Sequence, residues 1–427
     1  MPIKQNMSRR NALQVGVCGA TQMCLSGLLR ARESSPLQAK ADAVIFVNLA
    51  GGVSHLDTLD MKPAGPAETR GEFQPIQSSI PGLVVCEHLP RLARCIDQFT
   101  LIRGIHHSAG AHPQGQSWIS TGNRPTPALL YPSFGSVVTK ELSGQPDLPS
   151  YVAIPKSEWN AGFMGDAYAP FQTNAVPKPG TRFQVRGVSL AEGVTVEQVN
   201  RREALLRQVD RTFREIETHS QLLQALDKFS EQAHSIITST RALRAFDVEQ
   251  ESPAIRQRFG DDELNQGTLL ACRLVENGVR FVTVSNGGWD THLDNFNGHK
   301  RLLQPLDQAL PAMLETLRDK GLLERTLVIV MGEFGRTPKI NENAGRDHFP
   351  QVNWCLMAGG GVQSGQLLGG SNAAGDAADD ATDITPDDLA ATLYHALGID
   401  PTTEYHTQTG RPVMLVPEGR ILSSLFG

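Results

Sequence analysis

Residues Phe281–His299 read FVTVSNGGWDTHLDNFNGH. The apolar, β-branched run Phe281–Val284 predicts a buried parallel strand. It empties into Gly287-Gly288 and then into Asp290, His292, Asp294 and His299. In open α/β sheets ligands gather beyond the carboxyl ends of the strands, and a glycine pair there lets the backbone turn sharply. Asp-x-His offers one hard oxygen and one imidazole nitrogen close together, a donor pair that suits zinc, iron or manganese better than calcium. Such pairs also occur by chance in surface loops, so the rest of the chain has to carry the case.

Working outward, three further apolar runs end in the same way. Val44–Leu49 (VIFVNL) leads through Ala50-Gly51-Gly52 to Ser54, His55, Asp57 and Asp60. Thr326–Met331 (TLVIVM) leads to GEFGRTP, which carries Glu333 and Arg336, and Trp354–Met357 runs into Gly359–Gly361 after a loop holding Asp347 and His348. A short strand over Thr100–Ile102 precedes His106, His107 and His112, three of the chain's 12 histidines within seven residues. Between the strands, helical spacing or composition predicts helices over His88–Phe99, Gln114–Ile119 with a Gly122 stop, Gly267–Gly278, Leu302–Lys320 and Leu389–Leu397 with Thr385 as N-cap. This alternation predicts an α/β fold with a doubly wound, mostly parallel sheet. Residues 125–187, rich in Pro and Gly, read as irregular loops that shape a pocket mouth. Thr195–Arg244 changes to Leu and Ile at helical spacing among charges, which predicts two amphipathic helices as an insertion.

A formal net charge of −6 over 427 residues argues against a general nucleic-acid surface, and no nucleic-acid motif is present. Ser8-Arg9-Arg10 precedes a weakly apolar run, Val15–Leu29, too short and too polar for a stable membrane span. With small residues at Ala39-Lys40-Ala41, this order reads as a twin-arginine export signal over 1–41, followed by a single domain over 42–427. The twin-arginine translocase is then a partner, and the location periplasmic or extracellular. Cys86, Cys95, Cys272 and Cys355 are too few for a disulfide scaffold; a Cys86–Cys95 bridge stays open beside the reading as buried small hydrophobes.

The WDTH loop (Trp289–His292), the GEFGRTP loop (Gly332–Pro338), the GRDH loop (Gly345–His348) and the DITPDDLAATLYHALGI helix, in that order, resemble the alkaline phosphatase–sulfatase superfamily. More closely, the chain resembles a family of twin-arginine-exported bacterial proteins within it, the domain of unknown function number fifteen hundred and one. The resemblance runs from the SRR signal to Gly410-Arg411-Pro412. It implies a divalent metal ion, zinc first and manganese, iron or calcium as alternatives, at a site that transfers a phosphoryl or sulfuryl group of an anionic small-molecule or polysaccharide ester. Carried over residue by residue, Asp290, His292, Asp347 and His348 are expected as metal ligands. Glu333 stands where relatives have Asp-His, and Arg336 either holds an anionic group or only pairs with Glu333. Two departures follow. The first-strand Asp is replaced by Ala50, leaving Asp57 or His55 to substitute as a ligand, and the nucleophile position falls on or near His112. Metal-dependent hydrolysis with His112, Glu333 and Arg336 as catalytic residues is one expectation; a binding or envelope-associated protein without turnover is the other.

If the twin-arginine reading holds, replacing both Arg9 and Arg10 by Lys retains the precursor in the cytoplasm, measured by cell fractionation. Unchanged export of that variant contradicts it.

Overall fold

Ala43–Leu49 (β1) is buried along its whole length because it has a hydrophobic layer on each face. Ala43, Ile45, Val47 and Leu49 enter one cluster and Val44 and Phe46 the other, the period-2 division that a central strand imposes. The same division recurs along Thr326–Met331 (β6) and Asn353–Ala358 (β7). In the computed structural model, residues 37–181, 183, 185, 197–198, 201 and 235–427 are described. The expected signal lies outside them up to residue 36, and so does most of the expected insertion Thr195–Arg244; at its end, Thr240–Phe246 forms a helix capped by Ser239.

The other strands are Thr100–Ile105 (β2), Tyr151–Ile154 (β3), Phe171–Gln172 (β4), Phe281–Asn286 (β5) and Leu367–Leu368 (β8). They assemble in the order β8-β2-β7-β6-β1-β5-β3-β4. Every pairing is parallel except those of β7, which runs against both β2 and β6. Phe134–Glu141 (α2), His112–Thr121 (α1) and Pro386–Ala396 (α5) cover one face, and Glu263–Glu276 (α3) and Asn295–Asp319 (α4) the other. The α/β class and mostly parallel sheet read from the sequence are thus present.

Two expectations change, and one strand direction is settled that the apolar pattern leaves open. Strand β7 runs antiparallel, with Ala358 paired to Val328 and Cys355 to Met331, so its amino end lies where the neighbouring strands finish. An apolar run does not encode its own direction, and here the reversal carries Asp347 and His348, just before β7, to the ligand edge. Residues 125–187, expected as irregular, contain α2 and β3, whose four-residue core is masked by surrounding Pro and Gly. Helix α4 starts at Asn295 rather than Leu302, because the NFNGH turn has no apolar periodicity to announce it. The four cysteines of the body are free thiols. Among the described residues no helix is long and apolar enough to cross a membrane.

Ala39 and Lys40 accept from Arg325 through their carbonyls, and the Ala41 N–H donates to Ala396 O, so the expected cleavage site already belongs to the folded body. The Thr385 cap forms as expected. Its side chain receives the Asp388 N–H, and the Asp388 carboxylate receives the Thr385 N–H at 3.0 Å, a reciprocal capping box. Thr385→Ala is therefore expected to lower unfolding free energy by about 1 kcal/mol, read from the urea midpoint. An unchanged midpoint contradicts the assignment.

Candidate metal centre

Four chain segments meet at the carboxyl edge of the sheet. The segment after β5 brings Asp290 and His292, the start of α1 brings His112, and the turn after β6 brings Glu333 and Arg336. The segment before β7 brings Asp347 and His348. A two-residue antiparallel ladder, Gly335–Arg336 with His348–Phe349, sets His348 directly across from Arg336. Two close approaches demand glycine. Gly51, with φ +118°, would put a Cβ 2.5 Å from the Asp290 nitrogen, and a Cβ on Gly345 would lie 1.8 Å from the His292 carbonyl oxygen.

Arg336 is fully buried and joins these segments. Its guanidinium donates to the carbonyls of Gly51, Gly52, Trp289 and Arg346, and at 2.7 Å to Asp290 Oδ1. Burial opposes ionisation of Asp290, but the hydrogen bond and charge of Arg336 outweigh it and hold the carboxyl at about 2. Asp290 thus remains an anion across the neutral range.

Around that anion stand three imidazoles whose Nδ1 atoms all face acceptors. His112 Nδ1 meets Glu333 Oε1 at 2.7 Å, His292 Nδ1 meets Asp347 Oδ1 at 2.7 Å, and His348 Nδ1 meets Gly110 O at 2.8 Å. Acceptors there fix Nδ1 as the protonated nitrogen and leave each Nε2 lone pair free. The three Nε2 atoms converge on Asp290: 3.2 Å from His112 to Oδ2, and 3.1 and 3.2 Å from His292 and His348 to Oδ1. His292 Nε2 and His348 Nε2 are 2.9 Å apart. Lone pairs at such distances need a shared cation or extra protons. His112 Nε2 is moreover buried without a hydrogen-bond partner.

These observations are the test of whether a metal fits, and it does. One ligand atom from each of His112, Asp290 and His348 lies within 4.8 Å of the others, a spacing a single ion can span. Formal charge agrees: the carboxylates of Asp290, Asp347 and Glu333 against the Arg336 guanidinium leave two negative charges. Nitrogen-rich donors of this kind suit zinc, iron or manganese. The two histidines differ in basicity. Hydrogen bonding to Glu333 raises the pKa of His112, whereas burial lowers that of His348.

The structure therefore gathers Asp290, His292, Asp347, His348, His112, Glu333 and Arg336. Asp57 and His55 are not at the cluster. Asp57 is buried in a bidentate ion pair with Arg346, at 2.7 and 3.0 Å, and also receives Ser54 and Asn295. His55 is buried with Nε2 on the Gly375 carbonyl. Both are enclosed by protein. Glu333 is likewise buried, and it accepts from Gly51 N–H, Gln116 Nε2 and His112 Nδ1. It orients His112 through that contact. Arg336 uses its donors on protein acceptors and pairs with Asp290.

Sequence reading missed Gln116, which holds Glu333 at 2.7 Å. The signal was available, since His112 and Gln116 are four residues apart and share a helix face. Of the neighbouring histidines, His107 donates through Nε2 to the Glu333 carbonyl, and His106 approaches Gly104 O and Asp383 instead. The Gly110 carbonyl that orients His348 carries no side-chain signal at all.

The family model described as protein of unknown function (DUF1501) matches residues 41–426. No curated protein matches the sequence. Among solved structures, the lipoteichoic acid synthase LtaP from Listeria monocytogenes is similar at 11% identity and a TM-score of 0.38, over 89% of this chain and 75% of that one. The PsFucS1 sulfatase from Pseudoalteromonas sp. is similar at 11% identity and 0.41, over 91% and 72%. A TAB5 alkaline phosphatase mutant with Mg bound in its M3 site is similar at 10% identity and 0.36, over 85% and 99%.

Behind the cluster, His299 is wholly buried, accepting the Ser54 N–H through Nε2 at 3.1 Å. Burial depresses its pKa from 6.5 to about 4 despite the nearby Asp57. The folded value lies below the unfolded one, so the unfolded chain takes up the proton first. Stability from this group is complete above about pH 6.5 and is lost on the way down to about pH 4, on the order of 3 kcal/mol in all. His299→Gln is expected to flatten the fall of the urea midpoint over that window; an unaltered slope contradicts it.

Proposed function

The chain belongs to the DUF1501 family, and from that premise we propose that it is an exported metal-dependent hydrolase of phosphate or sulfate esters. The observation that carries this is the convergence of three oriented imidazole Nε2 atoms on an ionised Asp290 in an accessible site. Support for the ester comes from the order of the WDTH, GEFGRTP and GRDH loops, which resembles the alkaline phosphatase–sulfatase superfamily.

His112, Asp290 and His348 would hold the ion, with His292 beside them. A divalent ion bound there supplies Lewis-acid polarisation of an ester oxygen and offsets charge that develops in the displacement. The chain's own groups prepare the site. Glu333, Asp347 and Gly110 O each hold an Nδ1 proton, so the rings keep their orientation and their lone pairs. Arg336 keeps Asp290 ionised at the cost of weakening it as a donor. His112 has Nδ1 on Glu333 and Nε2 facing Asp290, an arrangement that favours a ligand over a nucleophile. With no hydroxyl or thiol at that helix start, water is the attacking group. Zinc suits these donors first, followed by manganese or iron; calcium is disfavoured.

A metal-holding binding protein without turnover is the second reading, favoured by Arg336 and Glu333 both being committed to protein partners. The test loads chelator-stripped full chain with zinc or manganese and assays phosphomonoester, phosphodiester and sulfate-ester substrates, with metal content measured alongside. His348→Ala is expected to lose at least about tenfold in retained metal and to lose turnover with it. Metal retention without turnover supports the second reading, and a wild-type chain that retains no metal contradicts both.

A further inference from the structure

Each imidazole of the cluster has its Nδ1 on an acceptor, but the three acceptors are not equally secured. Glu333, which orients His112, is buried and itself receives the Gly51 N–H and Gln116 Nε2. Gly110 O, which orients His348, belongs to the backbone. Asp347, which orients His292, has a side chain 53% exposed, and the ring it holds is 40% exposed. A carboxylate in water is free to turn away, and Asn341 supplies what that pair lacks. Its Nδ2 donates to the His292 carbonyl at 3.0 Å and to Asp347 Oδ1 at 3.3 Å. Its Oδ1 accepts the N–H groups of Asn343 and Gly345, at 3.0 and 2.9 Å. Donors on one side and oxygens on the other leave the amide a single orientation. Around it the two loops run side by side: Asp294 N–H donates to Asn343 O, Asn295 N–H to Ala344 O and Arg346 N–H to Thr291 O.

We propose that Asn341 is a positioning residue for His292. One amide grips the backbone of that histidine and the carboxylate on its ring together, so Nε2 is kept beside Asp290 and His348, at 3.1 and 2.9 Å. Without the amide, the ring is the one described side chain still bonded to the Asp347 carboxylate. The assignment rests on the cation-binding part of the hydrolase reading and not on turnover. Supporting partners of this kind typically change metal affinity by about 10- to 100-fold.

Asn341→Asp separates this role from closure of the loop 341–345. The carboxylate keeps an acceptor for the Asn343 and Gly345 N–H groups but turns an oxygen instead of a donor toward Asp347 and the His292 carbonyl. Zinc affinity of the chelator-stripped full chain is measured by competition with a chromogenic chelator, for wild type, Asn341→Asp, His292→Ala and the double variant. Asn341→Asp is expected to weaken zinc by about tenfold alone and by less than about twofold when His292→Ala is already present. The direction is informative, since an added negative charge by itself attracts a cation. Asn341→Ser, which adds no charge, is read in the same cycle and is expected to show the same dependence on His292. Crystal structures of the metal-free wild type and Asn341→Asp give a readout independent of zinc: the His292 Nδ1–Asp347 contact of 2.7 Å is expected in the first and broken in the second. Zinc held as in wild type, an equal loss in both backgrounds, or an intact His292–Asp347 contact in Asn341→Asp overturns the proposal. A wild-type chain that takes up no zinc, with the contact broken in the variant, overturns the metal reading and leaves the Asn341 assignment standing.

Discussion

A guanidinium without access to water holds the carboxyl edge of this sheet together. Arg336 ties the segment after β1, the segment after β5 and the approach to β7 to its own turn after β6 through carbonyl contacts, and its charge is met by Asp290. A buried cation needs both an anion and a full set of acceptors, and removing one partner of a buried pair typically costs about 3–5 kcal/mol. The half-exposed Asp290 lessens that figure here. The consequence is still directional: the arginine fixes where Asp290 stands and keeps it ionised, and the imidazoles are arranged about that fixed charge.

A second buried pair stands behind the first. Asp57 and Arg346 satisfy each other, while the Arg346 carbonyl receives Arg336. The arrangement is graded, with a closed ion-pair layer inside, an orienting layer of Glu333, Gln116 and Gly110 next, and the Nε2 atoms outermost. Only the outermost layer has unshared lone pairs. The charge imbalance at the cluster, two negative after Arg336 is counted, is therefore expressed where an ion can arrive from solvent.

Much of this was legible in the sequence, for identifiable reasons. Apolar, β-branched runs such as VIFVNL and TLVIVM read as buried strands, and residues that follow them gather at one edge; Asp290, His292 and Glu333 were found in that way. The direction of β7 was not legible, because alternation is the same read either way, yet it is the direction that delivers His348. Roles were harder than positions. Asp57 resembles a ligand in its local context, but its partner Arg346 is 289 residues away, and nothing local reveals the pair. The roles given to Arg336 and Glu333 came from the resemblance; both are buried on protein partners, a placement that nothing local in the sequence announces. Gln116 was readable from its spacing to His112, while Gly110 acts through a backbone carbonyl and leaves no trace in side-chain chemistry.

The central claim, that the three oriented imidazoles and Asp290 form a cation site, is tested most directly by zinc K-edge X-ray absorption on full chain loaded with one equivalent of zinc. The account expects a first shell of imidazole nitrogens at about 2.0–2.1 Å with a carboxylate oxygen at a similar distance, and loss of nitrogen scattering in His112→Gln. A first shell of oxygens alone, or a spectrum unchanged in that variant, contradicts it.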